Sequence, residues 1–291
     1  ILAFAEQRRR NGQNFILVAE EPELHLHPSL HQRLVNRMRA LSTQSITTTQ
    51  SPNVAASYQP QDIVFIHNRN GTLDATPLRT EPINTIPRNS VRKLYLAHRS
   101  QLYEALMGGV NLLPEGEHDY EWLSLWQRLA QSSEVGGEYA LRPITIIPTS
   151  DAAMVDSFQE IAKFRPDVLP IVDGDADGTN YLQSLSGLGV PPSKIIQYGN
   201  NAAVECLAAY FLEPALVNPP QALASILPST TDRTMAKLQN ILCDGTNKKN
   251  RELHENLVWE SVDTEESSRR ACEFFADIAA IAAGESTRNA K

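Results

Sequence analysis

Two spacings alternate along this chain. Short apolar runs stop at acids, glycines or prolines, and between them apolar residues return every three or four positions. The first spacing predicts short buried strands and the second amphipathic helices. Strand-like runs lie at 15–19, 45–49, 110–113, 144–148, 168–172 and 195–198. Helical spacing covers 1–10, 29–41, 91–107, 120–129, 150–164, 252–262 and 269–283, with 207–227 broken by Pro214, Pro219 and Pro220. Residues 63–68 and 72–78 flank Asn70-Gly71 and read as a hairpin. Pro82 and Pro87 mark 81–91 as a linker, and 284–291 reads as a frayed tail. From 108 onward the order strand, helix, strand, helix, strand predicts a parallel sheet joined by right-handed crossovers. The fold class is therefore α/β, with a central parallel sheet flanked by helices and a helical insert.

Acids gather where two of these strands end. Over 169–178, Leu-Pro-Ile-Val leads into Asp173, Asp175 and Asp177, with glycines after the first and third. Like charges this close repel, and a hard divalent cation with oxygen ligands offsets the repulsion. One reading is a calcium loop of the D-x-D-x-D-G type. That loop needs a bidentate Glu at its twelfth position, here Ser184, and usually an aliphatic eighth, here Asn180. Another places the carboxylates at the C-terminal end of a buried parallel strand, where α/β folds hold ligands. A polar surface turn explains the same residues without a ligand. Over 110–119 a second run breaks into Glu115, Glu117 and Asp119 and is followed by helical spacing. Glu115 and Asp119 are four residues apart and can face one ion. Asp119 can equally be an acid that favours the helix dipole.

A strand ending in Glu-Gly-Glu-x-Asp, followed by one ending in Asp-x-Asp, resembles the Toprim catalytic domain of topoisomerases, primases and OLD-family nucleases, over roughly 108–198. The resemblance implies that Glu115, Asp173 and Asp175 hold Mg²⁺ at the C-terminal edge of a parallel sheet. Upstream, the run Glu-Glu-Pro-Glu-Leu-His-Leu-His-Pro at 20–28 resembles the Walker B segment of ABC-type ATPases, in the form typical of the OLD and RecF-like branch. It implies that Glu20 helps hold the Mg²⁺ of ATP and that Glu21 orients or activates the attacking water. Residues 45–52 then resemble the strand and switch of the same ATPase, with Gln50 where His is usual. A Gln hydrogen-bonds a γ-phosphate without carrying charge. His25 and His27 can be taken for metal ligands, but the resemblance implies a structural role for them in the loop after Walker B. The same resemblance makes Glu205 a further metal ligand and turns a lysine, Lys248 or Lys249, toward the metals. Ordinary alternatives are a helix acid for Glu205 and a solvated helix start for the lysines.

The implied protein is the C-terminal part of an OLD-family endodeoxyribonuclease. Residues 1–80 would be the second half of an ABC-type ATPase domain, 81–107 a linker and connecting helix, and 108–291 a Toprim nuclease domain with a helical insert. Glu115, Asp119, Asp173, Asp175 and Glu205 would divide between two Mg²⁺ or Mn²⁺ ions. The lysine would add positive charge at the phosphate, and Asp177 would shape the loop. DNA and a second copy in a homodimer are the implied partners, in phage defence or DNA processing.

Composition limits this picture. The net charge of -8 argues against a surface that coats DNA, so local basic patches must hold the phosphates. Cys206, Cys243 and Cys272 are far apart, fit a reducing cytosol and offer no zinc site. No run approaches a membrane span and no signal-peptide pattern opens the chain, so a cytoplasmic location is expected. No G-x-x-x-x-G-K-[ST] loop or ABC signature occurs, and the chain opens inside an amphipathic helix without Met. A fragment is expected, with its N-terminal ATPase half missing and ATP bound only by the full-length protein. Three rivals share features of this pattern. A topoisomerase needs a nucleophilic tyrosine from another domain, a primase usually brings a zinc module, and a nucleotide-regulated DNA clamp would leave the carboxylates idle.

Overall fold

The computed structural model describes residues 2–69, 71–132, 144–150 and 153–285. The chain divides into two compact units, Ile1–Met107 and Gly108–Lys291.

In the first unit, helix α1 (Leu2–Arg10) leads to strand β1 (Ile16–Glu20), helix α2 (Pro28–Leu41) and strand β2 (Gln44–Thr48). β1 and β2 pair in parallel, with Glu20 opposite Thr48. The start of α2 is set locally: the His27 ring accepts the Ser29 N–H, and Pro28 has no N–H left to satisfy. Val35, Met38 and Leu41 of α2 are buried. Helix α3 (Pro52–Ala55) is followed by the expected hairpin of β3 (Val64–Arg69) and β4 (Thr72–Pro77). The segment expected as a linker, 81–91, is packed, with Ile83, Ile86 and Val91 buried. The single helix expected over 91–107 is two, α4 (Asn89–Leu96) and α5 (Arg99–Met107). In an unbroken helix the Tyr95 carbonyl would accept the Arg99 backbone N–H. Here the Arg99 side chain takes it, Nε donating to Tyr95 O at 2.8 Å and Nη1 to Ala56 O at 3.2 Å.

The second unit runs β5 (Val110–Pro114), α6 (Glu117–Ser132), β6 (Ile144–Ile146), α7 (Met154–Ala162), β7 (Leu169–Val172), α8 (Ala176–Gly187) and β8 (Ile196–Gln197). The helices α9 (Val204–Leu212), α10 (Gln221–Ile226), α11 (Met235–Cys243), α12 (Arg251–Glu260) and α13 (Glu265–Ala283) follow. The strands form one parallel sheet in the order β6-β5-β7-β8. The two inner strands, β5 and β7, are buried along almost their whole length, which is why they are apolar apart from Asn111. Pro170 fits inside β7 because β8 pairs only from Ile171 onward, so no β8 residue stands opposite the missing N–H. The expected breaks at Pro214, Pro219 and Pro220 fall between α9 and α10. α13 stops at Gly284, whose φ of 75° is the left-handed conformation that ends a helix. The tail expected to fray lies, from 286 on, outside the described residues. No helix among the described residues is long and apolar enough to cross a membrane.

The core of this unit is aromatic. Trp122 and Trp126 on α6 are fully buried and stack with ring centroids 6.2 Å apart. Phe211 on α9 meets Trp126 edge-on at 4.8 Å. These contacts join α6 and α9, whose first turns carry the buried acids Asp119 and Glu205. The three tryptophans, Trp122, Trp126 and Trp259, all lie in this unit, so their fluorescence reports on it alone. Trp126→Ala is expected to cost this unit about 3–5 kcal/mol in urea unfolding followed by the remaining tryptophans. A loss below about 1 kcal/mol would contradict the packing described.

Candidate metal centre

The register of β5 against β7 places Pro114 opposite Ile171, so the residues after each strand, Glu115 and Asp173, emerge at one edge of the sheet. They meet directly: the Asp173 backbone N–H donates to Glu115 Oε2 at 2.9 Å. Asp119, in the first turn of α6, is 7% exposed, and Glu205, in the first turn of α9, is 1% exposed. Each helix start offers backbone N–H groups and a favourable dipole to its acid. Lys248 Nζ lies 2.8 Å and His118 Nε2 3.1 Å from Glu205 Oε1.

Charge crowding has opposite consequences on the two sides of this cluster. Burial pushes the Asp119 carboxyl well above its ordinary range, and the charges of Asp173, Glu115 and Glu205 push it further. Burial, then Glu115, Asp175 and Glu205, raise Asp173 to about 7, against a downward pull from Lys248. Burial would raise Glu205 as well, but hydrogen bonds from His118 and Lys248 outweigh it and hold the carboxyl at about 2. Glu205 is thus ionised and paired, while Asp119 and Asp173 carry the unrelieved repulsion.

The remaining expected residues fall into three groups. Asp175 caps α8, its Oδ1 accepting the Gly178 N–H at 2.9 Å, with the side chain otherwise exposed. Asp177 is exposed in the first turn of α8. Because α8 begins at Ala176, Asn180 and Ser184 are helical, and the calcium-loop alternative is excluded. Both lysines are exposed, but Lys248 pairs with Glu205, whereas Lys249 has no ion pair among the described residues. Tight backbone spacing explains both glycines of the Asp173 turn. A Cβ on Gly174 would lie 1.9 Å from Gly199 O, and one on Gly178 1.9 Å from Asp173 O.

Three residues at this edge were not anticipated. His118 lies in the first turn of α6, three residues after Glu115 and next to Asp119 in the chain, so its place inside the acidic motif was a signal present in the sequence. Tyr198 follows β8 at the same edge. Burial and the charges of Asp119, Asp173, Glu205 and Glu115 push its phenol well above its usual range. His254, on α12, stacks on Trp122 with centroids 4.2 Å apart. Its distance from the acidic motifs in sequence left no signal.

The donor chemistry fits a hard cation. Asp119 Oδ1, Asp173 Oδ1 and Glu205 Oε2 are buried oxygens without a hydrogen-bond partner, the kind of group that is costly unless it is paired or ligates. Among the described residues no three His, Cys, Asp or Glu side chains already converge as a ligand set. Holding an ion therefore requires side-chain rotation to bring these oxygens together.

In the first unit, Glu20 ends β1 and is exposed, and Glu21 follows it with a φ of 39°. Gln50 Nε2 donates to Glu21 Oε1 at 2.9 Å. Thr49 donates to Glu23, and Ser51 Oγ lies 3.3 Å from His31 Nδ1. The turns after β1 and β2 are therefore latched side chain to side chain. His27 caps α2, and His25 sits in the turn with a φ of 68°.

No protein-family model matches this chain, and a search of curated proteins finds no relative.

The raised Asp173 carboxyl fixes a pH dependence. A carboxyl whose folded value lies near 7 binds more protons folded than unfolded between about pH 4 and 7, so stability falls as pH rises through that window. Glu205, held near 2, acts oppositely, but its contribution is lost only as pH falls from about 4.5 toward 2. The metal-free protein should therefore melt at lower temperature at pH 8 than at pH 5, and Asp173→Asn should flatten that difference. Equal slopes for wild type and variant in calorimetry would contradict the assignment.

Proposed function

We propose that the second unit is a divalent-metal-dependent endodeoxyribonuclease of the Toprim kind, as in OLD-family enzymes. The observation that carries this reading is that four carboxylates, after β5 and β7 and in the first turns of α6 and α9, lie near enough to repel one another, with Lys248 beside them. Two Mg²⁺ or Mn²⁺ ions, when bound, would supply the positive charge that activates water and neutralises the departing 3′-oxygen. Glu115, Asp119, Asp173 and Glu205 would hold them, with the free oxygen of Asp175 at the rim. Asp119 and Asp173 would lose their protons to the incoming charge, which relieves the repulsion described above. Lys248, released from Glu205, would turn toward a non-bridging phosphate oxygen, where negative charge grows in the transition state. His118 would keep Glu205 oriented while Lys248 is engaged.

The first unit fits the second half of an ABC-type ATPase, with Glu21 and Gln50 already joined where Walker B and switch would meet. Together with a phosphate loop, ATP binding at this unit would regulate cleavage. This chain alone, without a phosphate loop, is not expected to hydrolyse ATP.

Nicking of supercoiled plasmid in Mn²⁺ tests the reading. Asp173→Ala and Lys248→Ala should each lower the rate about 100- to 1000-fold, while Lys249→Ala stays near wild type. EDTA should abolish nicking; cleavage that survives it would sink the mechanism. DNA binding without any cleavage would favour the clamp instead.

A further inference from the structure

Lys248 sits in a single 3-10 turn, Asn247–Lys249, which is too short to hold its own position. Its anchors divide in two. The Lys248 N–H bonds to Asp244 O at 2.8 Å and the Asn247 side-chain amide to Ile241 O at 3.1 Å, tying the turn back to α11. Toward the acidic helix α6, a buried ring takes over. His254 Nε2 lies 2.8 Å from Asn247 O, and because a carbonyl only accepts, that nitrogen carries the proton. The same ring stacks on Trp122 and stands 5.6 Å from the His118 ring, both on α6. An exposed ion pair of Arg251 with Glu121, 3.3 Å long, joins α12 to α6 as well, but water screens it.

We infer that His254 is a positioning residue, which sets the Lys248 turn against α6 so that the ammonium faces the carboxylate cluster. The residue is 1% exposed, and Nδ1 is buried with no partner among the described residues. A phenylalanine would fill the same space and stack on Trp122 without that unpaired nitrogen. What the imidazole adds is the donor bond to Asn247 O. The role in catalysis rests on the nuclease reading, but the placement of Lys248 does not.

The test therefore has two arms, both on the full chain. In the metal-free arm, acetylation by acetic anhydride is followed at Lys248 and Lys249 by fragment mass spectrometry. Wild-type Lys248, paired with Glu205, should react several-fold more slowly than Lys249. His254→Phe keeps the stack and removes the donor, so Lys248 should rise to the Lys249 rate. His254→Gln restores a donor and should recover part of the protection. If His254→Phe does not fold by circular dichroism, His254→Asn, too short to reach Asn247 O, reads the same contrast. In the second arm, plasmid nicking by His254→Phe should show kcat lowered about ten- to a hundredfold with KM for DNA unchanged. Slow Lys248 labelling in the donor-free variant, or unchanged kcat in an active protein, overturns the inference. A wild-type protein that labels as expected but never nicks overturns the nuclease reading and leaves the positioning role standing.

Discussion

At the centre of the second unit, the carboxylate that ends one inner strand accepts the backbone N–H that ends the next, Glu115 to Asp173 at 2.9 Å. That bond forms only if β5 and β7 lie side by side in the register observed, and both strands are buried up to their last residue. Everything else at this edge is arranged around the pair. α6 and α9 start beside it and bring Asp119 and Glu205, and the close approach of Gly178 to the Asp173 carbonyl leaves no room for a side chain.

Gathering acids in this way is unfavourable in isolation, because each charge is stripped of water and faces others of the same sign. The protein offsets only part of the cost. Glu205 has Lys248 and His118, whereas Asp119 and Asp173 have no basic partner of their own among the described residues and are driven toward the protonated form. The aromatic packing of Trp122, Trp126 and Phe211 ties α6 to α9, so the two helices that carry Asp119 and Glu205 are packed together. An unrelieved excess of negative charge, held on rigid elements, is the physical basis for expecting a cation.

Much of this was legible in the sequence because strand ends and helix starts leave local signals. Asp173 and Glu115 stand where apolar runs stop, and Glu205 stands where an apolar helix begins. Other features depend on approach through space and left none. Nothing along the chain separates Lys248 from Lys249; only the turn between α11 and α12 turns one of them toward Glu205. The break between α4 and α5 was hidden as well, because it depends on a side chain, that of Arg99, competing for a backbone carbonyl that helical spacing assigns to the helix. Asp175 shows the reverse case. Its place in a repeated acidic pattern suggested a ligand, and its geometry makes it a helix cap with one oxygen to spare.

The central claim is that these carboxylates form a cation-holding pocket at the sheet edge. Anomalous diffraction from crystals soaked in Mn²⁺ addresses it without reference to activity. The account predicts manganese peaks bounded by Glu115, Asp119 and Asp173, with the Glu205 side able to take a second. Manganese bound elsewhere on the molecule with none at this edge would contradict it.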